Sequence, residues 1–201
     1  MMRFLDLTII AVGLIALSCN QSNDSKKTET TSVQVSDEKA DLTKFIQKVY
    51  KWREDNSAID FIPTETNSQD SFYTSLDMDI HKKRFKILTD SDLFTESFLT
   101  NYNRIAIRID KDLKDGSVKW ETGDIPPFGN DADPWCNCQD TPVDNYWETL
   151  KVINIIQQDG ITAFDWTWGD GFKYKVKAKK DNGRWRIDNL QGFEFNDFIN
   201  Y

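Results

Sequence analysis

The alternation of apolar and polar residues near the C-terminal end predicts a four-stranded antiparallel sheet. Asp159-Gly160, Gly169-Asp170-Gly171 and Asn182-Gly183 divide residues 145–190 into four segments, because such dipeptides accept the positive φ angles of hairpin turns. Apolar residues occupy every second position of the segments, which is typical of a sheet buried on one face only. The apolar face comprises Phe164, Trp166, Trp168, Phe172, Tyr174, Val176, Ala178, Trp185 and Ile187.

Upstream of this sheet, apolar residues recur with helical spacing in three segments. The predicted helices cover residues 38–53, 76–88 and 91–113, and each carries an apolar stripe suited to packing. Residues 56–71 and 120–142 are predicted to be irregular, and the second stretch holds most of the prolines. The predicted fold class is therefore α+β, with N-terminal helices packed on the apolar face of a C-terminal four-stranded antiparallel meander.

Residues 1–18 have the three-part layout of an export signal. Arg3 precedes an apolar run from Leu7 to Leu17, which is shorter than the roughly 20 residues that span a bilayer. The segment Ile15-Ala16-Leu17-Ser18-Cys19 resembles a bacterial lipobox. That resemblance implies cleavage before Cys19 and attachment of a diacylglyceryl group to its sulfur. Ala16-Leu17-Ser18 also suits an ordinary signal peptidase, so plain secretion is the alternative.

The segment after the signal is polar, with Val33 and Val35 as its only apolar residues up to residue 37. Such a composition cannot offset the entropy cost of ordering the chain. Residues 19–37 are therefore predicted to be the lipidated Cys19 and a flexible tether, and residues 38–201 a single α+β domain. The predicted location is the bacterial cell envelope, with the protein anchored to a membrane and facing the periplasm or the cell surface.

The acidic balance of the chain excludes one class of partner. Lys and Arg number 25 against 33 Asp and Glu, for a net charge of −8. A nucleic-acid partner is not expected, because neutralising phosphates requires clustered Lys and Arg. The lysines at 173, 175, 177 and 179 form a local stripe, which we interpret as the solvated outer face of the sheet.

The order of the predicted elements and two short motifs resemble a known family. The motifs are Phe45, Val49, Tyr50 and Trp52 in the first helix, and Asp131-Ala132-Asp133-Pro134-Trp135 with Gln139-Asp140 before the sheet. Over about residues 40–192 the chain resembles small bacterial lipoproteins and exported proteins of unknown function with a nuclear-transport-factor-2-like domain. The resemblance implies a cone-shaped sheet with helices and a pocket on its concave side. It implies no established activity and no catalytic residues.

Cys136 and Cys138 are the thiols that remain in the sequence once Cys19 is lipidated. In an oxidising compartment they favour a local disulfide, which residues two apart can form only in a bent loop. Two reduced, half-buried thiols are the alternative, and a redox or structural role of the pair is a further hypothesis. A zinc site is not predicted, because two cysteines and His81 give too few ligands.

Aromatic residues of the sheet region are candidates for lining a ligand pocket: Tyr146, Phe164, Trp166, Trp168 and Tyr174. Filling the core is the favoured interpretation of these side chains, because aromatics dominate ordinary cores. An envelope enzyme that uses a buried carboxylate, like isomerases and dehydratases of the resembled fold, is the alternative function. Asp165 and Asp188 lie on predicted strands. Asp165 is adjacent to Trp166, so the alternation of the strand places its side chain on the solvent face. His81, the sole histidine, is predicted on an exposed helix face, which does not suit a catalytic base.

The sequence thus predicts a lipid-anchored exported protein with a non-catalytic domain. The domain is expected to bind a partner or small ligand through the mouth of the cone or the stretch 120–142, since ordered loops often carry function. No cofactor is predicted. The acidic residues of that stretch lack the glycine and terminal glutamate of a calcium loop, so turn formation explains them and no metal is predicted.

Overall fold

The computed structural model describes residues 24–66, 70–129 and 131–199, which form an α+β fold. The helices are α1 (Asp24–Asp55), α2 (Met78–Asp90) and α3 (Glu96–Lys114), with short 3₁₀ helices at Tyr146–Thr149, Gln191–Phe193 and Phe195–Phe198. The strands are β1 (Phe72–Tyr73), β2 (Trp120–Glu121), β3 (Lys151–Gln158), β4 (Ile161–Thr167), β5 (Tyr174–Asp181) and β6 (Arg184–Leu190). The predicted signal 1–18 and Cys19 lie outside the described residues.

The described part of the chain divides into two units between Val35 and Ser36. Helix α1 begins at Asp24 rather than near residue 38, so helical structure enters the segment predicted to be a flexible tether. Helix propagation adds one hydrogen bond per residue once a nucleus exists, so it does not require an apolar stripe. Within the described part of the chain, no helix combines the length and the apolar character needed to cross a membrane.

The predicted four-stranded antiparallel meander is confirmed, with strand order β3-β4-β5-β6. Every second residue of β4 and of the first part of β5 is buried. The alternation breaks in β6, because the pairing shifts where Lys177 and Ala178 face Asn189 and Ile187. This bulge brings Ile187 and Leu190, three residues apart, onto the buried side, while Trp185 is only half-buried.

The helices cover the aromatic face of the sheet, as predicted. The ring centroids of Tyr50 in α1 and Trp166 in β4 lie 4.9 Å apart, and Trp166 Nε1 donates a hydrogen bond to Tyr50 Oη at 2.9 Å. Helix α3 packs against the residues that follow β6, with Phe98 and Phe193 in edge-to-face contact. The main core therefore lies between α1, α3 and the sheet.

Helix α2 buries polar side chains, and the prediction of an exposed His81 is wrong. His81 is 5% exposed and Arg84 4% exposed. The His81 ring stacks on Tyr102 of α3, and its Nε2 lies 3.0 Å from Asn103 Oδ1. The prediction failed because a polar residue was assigned to solvent, whereas here its hydrogen bond is made inside the fold.

The edge of β6 is covered by the segment that precedes α3. Ile187 N donates to Leu93 O at 2.8 Å, and Thr95 N donates to Ile187 O at 2.8 Å. Thr95 caps α3 by accepting from Phe98 N, and its hydroxyl donates to Asp188 Oδ1 at 2.9 Å. The segment that begins α3 is thus bonded to β6 at Ile187 and Asp188, beside the bulge.

Candidate functional site

A buried carboxylate, Asp60, connects three parts of the fold. Its side chain is 5% exposed. Arg84 Nε of α2 donates to Asp60 Oδ1 at 3.3 Å, and Tyr102 Oη of α3 donates to the same oxygen at 2.6 Å. Trp135 Nε1 donates to Asp60 Oδ2 at 2.7 Å. Because both oxygens accept hydrogen bonds, Asp60 ties the loop after α1 to two helices and to the loop around Trp135.

The partners of Asp60 are themselves held in place. Burial, followed by the charge of Asp60, raises the pKa of Tyr102 well above its ordinary value, so the phenol keeps its proton and donates at neutral pH. Arg84 Nη1 donates to Asn56 O at 2.6 Å. The guanidinium carbon of Arg84 lies 5.8 and 5.9 Å from the ring centroids of Trp52 and Trp135. The cluster therefore fixes residues 56–60 against the loop of residues 133–138, which we call the Trp135 loop.

The loop around Trp135, predicted to be irregular, is anchored at several backbone atoms. Tyr174 Oη donates to Pro134 O at 2.5 Å, and Tyr50 Oη donates to Trp135 O at 2.5 Å. A disulfide joins Cys136 and Cys138. Asp133 Oδ1 accepts from Trp135 N at 2.9 Å, and Asp133 N donates to Cys138 O at 2.9 Å. The sheet, helix α1 and the disulfide therefore all hold this loop in place.

An open cavity of about 450 Å³ lies between the loop after α1 and the Trp135 loop. We call it the Ile59 groove. Its apolar wall is formed by Ile59, Phe61, Pro126, Phe128, Pro134 and Phe198, and its polar side chains include Arg53, Asp60 and Asp133. Ile59 is 76% exposed, and Ile125, next to the wall, is 67% exposed. A mostly apolar cleft with a few charged groups has the character of a small-molecule site.

A larger depression of about 740 Å³ lies between the first turns of α3 and the residues after β6. Its charged side chains include Glu96, Arg104, Lys177, Asp188 and Glu194. It is wide, polar and carries both signs of charge, so it offers little apolar surface to a ligand. The Ile59 groove is therefore the better candidate site, although it is smaller.

The aromatic residues proposed from the sequence lie in the core rather than at the Ile59 groove. Tyr146, Phe164, Trp166 and Tyr174 are at most 6% exposed. Trp168 is half-buried and stacks on Phe172, with ring centroids 4.0 Å apart. Burial raises the pKa of Tyr146 to about 12. Phe164 also lines a cavity of about 470 Å³ on the sheet, and the other side chains pack in the core or against it.

The two carboxylates proposed from the sequence also lie away from the Ile59 groove. Asp165 is partly exposed and accepts from Asn154 Nδ2 at 2.7 Å. Asp188 Oδ1 accepts the hydrogen bond from the Thr95 hydroxyl. Asp60, Arg84 and Tyr102 were missed by sequence reasoning. One signal was present: the segment Ile59-Asp60-Phe61-Ile62 places a single acid among apolar residues.

The acidic residues near the groove form no evident metal site. Among the described residues, no group of three or more His, Cys, Asp or Glu side chains is placed to hold a metal ion. Asp133 Oδ2 instead lies 3.5 Å from Arg53 Nη2, and Asp133 Oδ1 accepts the hydrogen bond from Trp135 N. Its chemistry in the groove is therefore that of a partner for a cation side chain.

Comparisons with known proteins give no match: no family model, no curated protein and no solved structure corresponds to the chain. Function is therefore inferred from the groove's own shape and chemistry, together with the sequence patterns at the N-terminus.

Proposed function

We propose that this domain is a non-catalytic binding module that takes a partner or small ligand into the Ile59 groove. The observation that carries the proposal is the apolar cavity of about 450 Å³ beside the 76% exposed Ile59, since clustered exposed apolar surface marks binding sites. Both walls are already fixed, one by Asp60 and the other by the bonds to Pro134 and Trp135. A preformed site binds with a smaller entropy cost.

The proposed setting of this module is the bacterial cell envelope, with Cys19 lipidated and membrane-anchored. The lipobox-like segment, the export-signal layout of residues 1–18 and the polar composition of residues 20–37 support it. The disulfide between Cys136 and Cys138 also fits an exported protein, because such bonds persist in oxidising compartments.

Intact mass of the membrane fraction tests the anchor. We expect a chain that begins at Cys19 and carries a diacyl or triacyl increment, and we expect the Cys19→Ala variant to lose that increment. A soluble chain that begins at Cys19 without lipid would contradict lipidation and indicate plain secretion.

The finer fold assignment, a nuclear-transport-factor-2-like cone, belongs to the same proposal. It is supported by the order of three helices followed by the β3-β4-β5-β6 meander, with α1 and α3 on one face of the sheet. In this arrangement Tyr50, Trp135 and Trp166 fill the interior. The ligand would therefore enter beside the Trp135 loop rather than in the middle of the sheet.

A carboxylate-dependent envelope enzyme is the second candidate, and one observation favours it. Asp60 is buried, paired with Arg84 and in contact with the groove, which is an arrangement typical of functional carboxylates. However, both of its oxygens accept hydrogen bonds from buried donors. A role as a base would require the cluster to break, so the binding function is preferred.

Binding of N-phenyl-1-naphthylamine, an uncharged fluorescent probe, tests the groove itself. We expect the wild-type chain to bind it and Ile59→Glu to weaken binding by at least about tenfold, because Ile59 would contribute about 1.5 kcal/mol or more of apolar contact. Ile107→Glu is the matched control, since Ile107 is 53% exposed on α3. Failure of the wild type to bind, or equal losses in both variants, would contradict the proposal.

A further inference from the structure

Arg53 supplies the positive charge of the Ile59 groove. It lies in the last turn of α1, and its side chain is 13% exposed. Its guanidinium carbon lies 5.5 Å from the Trp135 ring centroid. Its Nε is buried and finds no hydrogen-bond partner among the residues that the structure describes. Arg53 is also one of the residues that line the groove, so its guanidinium can donate to an acceptor that enters there.

The one ion pair of Arg53 that the structure shows is weak. Its Nη2 lies 3.5 Å from Asp133 Oδ2, which is longer than an N–H···O hydrogen bond. The Asp133 side chain is 43% exposed at the rim, so the pair is partly screened by solvent. A guanidinium has five N–H donors in a fixed fork, and the single long contact with Asp133 does not engage that fork in a bidentate pair.

The charge balance of the groove sets the kind of anion that fits. The charge of Asp60 is paired with Arg84, 3.3 Å away, which leaves Arg53 and Asp133 as the other charged groups among the described residues of the lining. With Asp60 neutralised in this way, one arginine beside one acid favours a monoanion, because a dianion such as phosphate would meet stronger repulsion from the Asp133 carboxylate. A carboxylate matches the arginine fork with two parallel hydrogen bonds.

We infer that the Ile59 groove binds a small amphipathic carboxylate, of the medium-chain fatty-acid type. The carboxylate pairs with Arg53, and the hydrocarbon chain lies on Ile59, Phe128 and Phe198. This inference rests on the proposed function, because it names the ligand class of the same groove. Asp133 competes with the ligand for Arg53 and so weakens binding.

Calorimetric titration with dodecanoate and with the uncharged dodecanol tests the inference. In the wild-type chain we expect dodecanoate to bind about tenfold tighter than dodecanol, as a charge-assisted bidentate pair would give. The ratio of the two affinities should fall to about one in Arg53→Met, which keeps the apolar stem. Lys51→Met is the matched control, because Lys51 lies on the same helix with its side chain 58% exposed, and it should keep the preference.

Asp133→Asn gives a second, independent variant. Asparagine retains the Oδ1 acceptor for Trp135 N but lacks the charge, so dodecanoate should bind several-fold tighter while dodecanol changes little. Equal wild-type affinities for the two ligands, or a preference that survives Arg53→Met, would overturn the inference. If the naphthylamine probe still binds in that case, the groove remains the proposed binding site and only the carboxylate ligand class is overturned. If the probe also fails to bind, the proposed binding function itself is overturned.

Discussion

Replacing Asp60 with alanine is expected to lower the free energy of unfolding by about 3–5 kcal/mol, as the loss of one partner from a buried ion pair does. The change would leave the Arg84 charge uncompensated in a side chain that is 4% exposed. It would also remove the acceptor of Tyr102 Oη and of Trp135 Nε1. Urea denaturation followed by tryptophan fluorescence measures this loss.

Asp90→Ala is the matched control for Asp60→Ala. Asp90 Oδ2 lies 2.6 Å from Lys86 Nζ, but both side chains are more than half exposed, so the expected loss is below about 1 kcal/mol. Arg84→Met added to Asp60→Ala should recover part of the stability, because it removes the unpaired charge. A loss for Asp60→Ala no larger than that for Asp90→Ala would show that the cluster does not hold the fold.

Replacing Gly192 with alanine is expected to cost about 3 kcal/mol of stability, the upper part of the usual range for overpacking. A Cβ at this position would lie 2.0 Å from Pro134 O and 2.7 Å from Pro134 Cα. These are backbone atoms, so they cannot rotate away. The shift would also disturb the hydrogen bonds of Tyr174 Oη with Gly192 N and with Pro134 O, and with them the wall of the Ile59 groove.

Gly183→Ala separates crowding from backbone strain. Gly183 has a φ of +78°, and no heavy atom lies within 4 Å of the position that a Cβ would take there. The cost of about 1–2 kcal/mol therefore comes from the left-handed conformation alone. We expect Gly192→Ala to unfold at a lower urea concentration than Gly183→Ala. Equal midpoints, with naphthylamine binding retained in Gly192→Ala, would contradict the packing of Gly192 against Pro134.

The sheet was predictable because its signals are local. Each hairpin turn is set by adjacent residues such as Asp159-Gly160, and the alternation that follows needs no knowledge of the rest of the fold. The strands β1 and β2 were not predicted, because pairs of two residues, Phe72 with Glu121 and Tyr73 with Trp120, are too short to show a period. The bulge in β6 lies beside the hydrogen bonds of Ile187 to Leu93 and Thr95, and a strand's own sequence does not contain such distant contacts.

The candidate site was not predictable in the same way, because its contacts join distant parts of the chain. Arg84, Tyr102 and Trp135 are 24, 42 and 75 residues from Asp60. Asp60 lies in a loop with no periodicity, and Arg84 lies on a helix face that its polarity assigns to solvent. The pocket candidates named from the sequence were aromatic residues of the sheet, with core filling as the favoured interpretation, since an aromatic pattern is the same for a core and for a ligand cavity.

Nitrogen–proton correlation spectra of the isotope-labelled chain, titrated with dodecanoate, test the central claim that the Ile59 groove is the binding site. We predict that the amides of Gly129 and Ala132, the Nε–H of Arg53 and the indole N–H of Trp135 shift together and saturate. The amides of Asn154 and Ile156 on β3 should stay in place. Shifts confined to the outer face of the sheet, or to the polar depression around Arg104, with none at Gly129 and Ala132, would contradict the account.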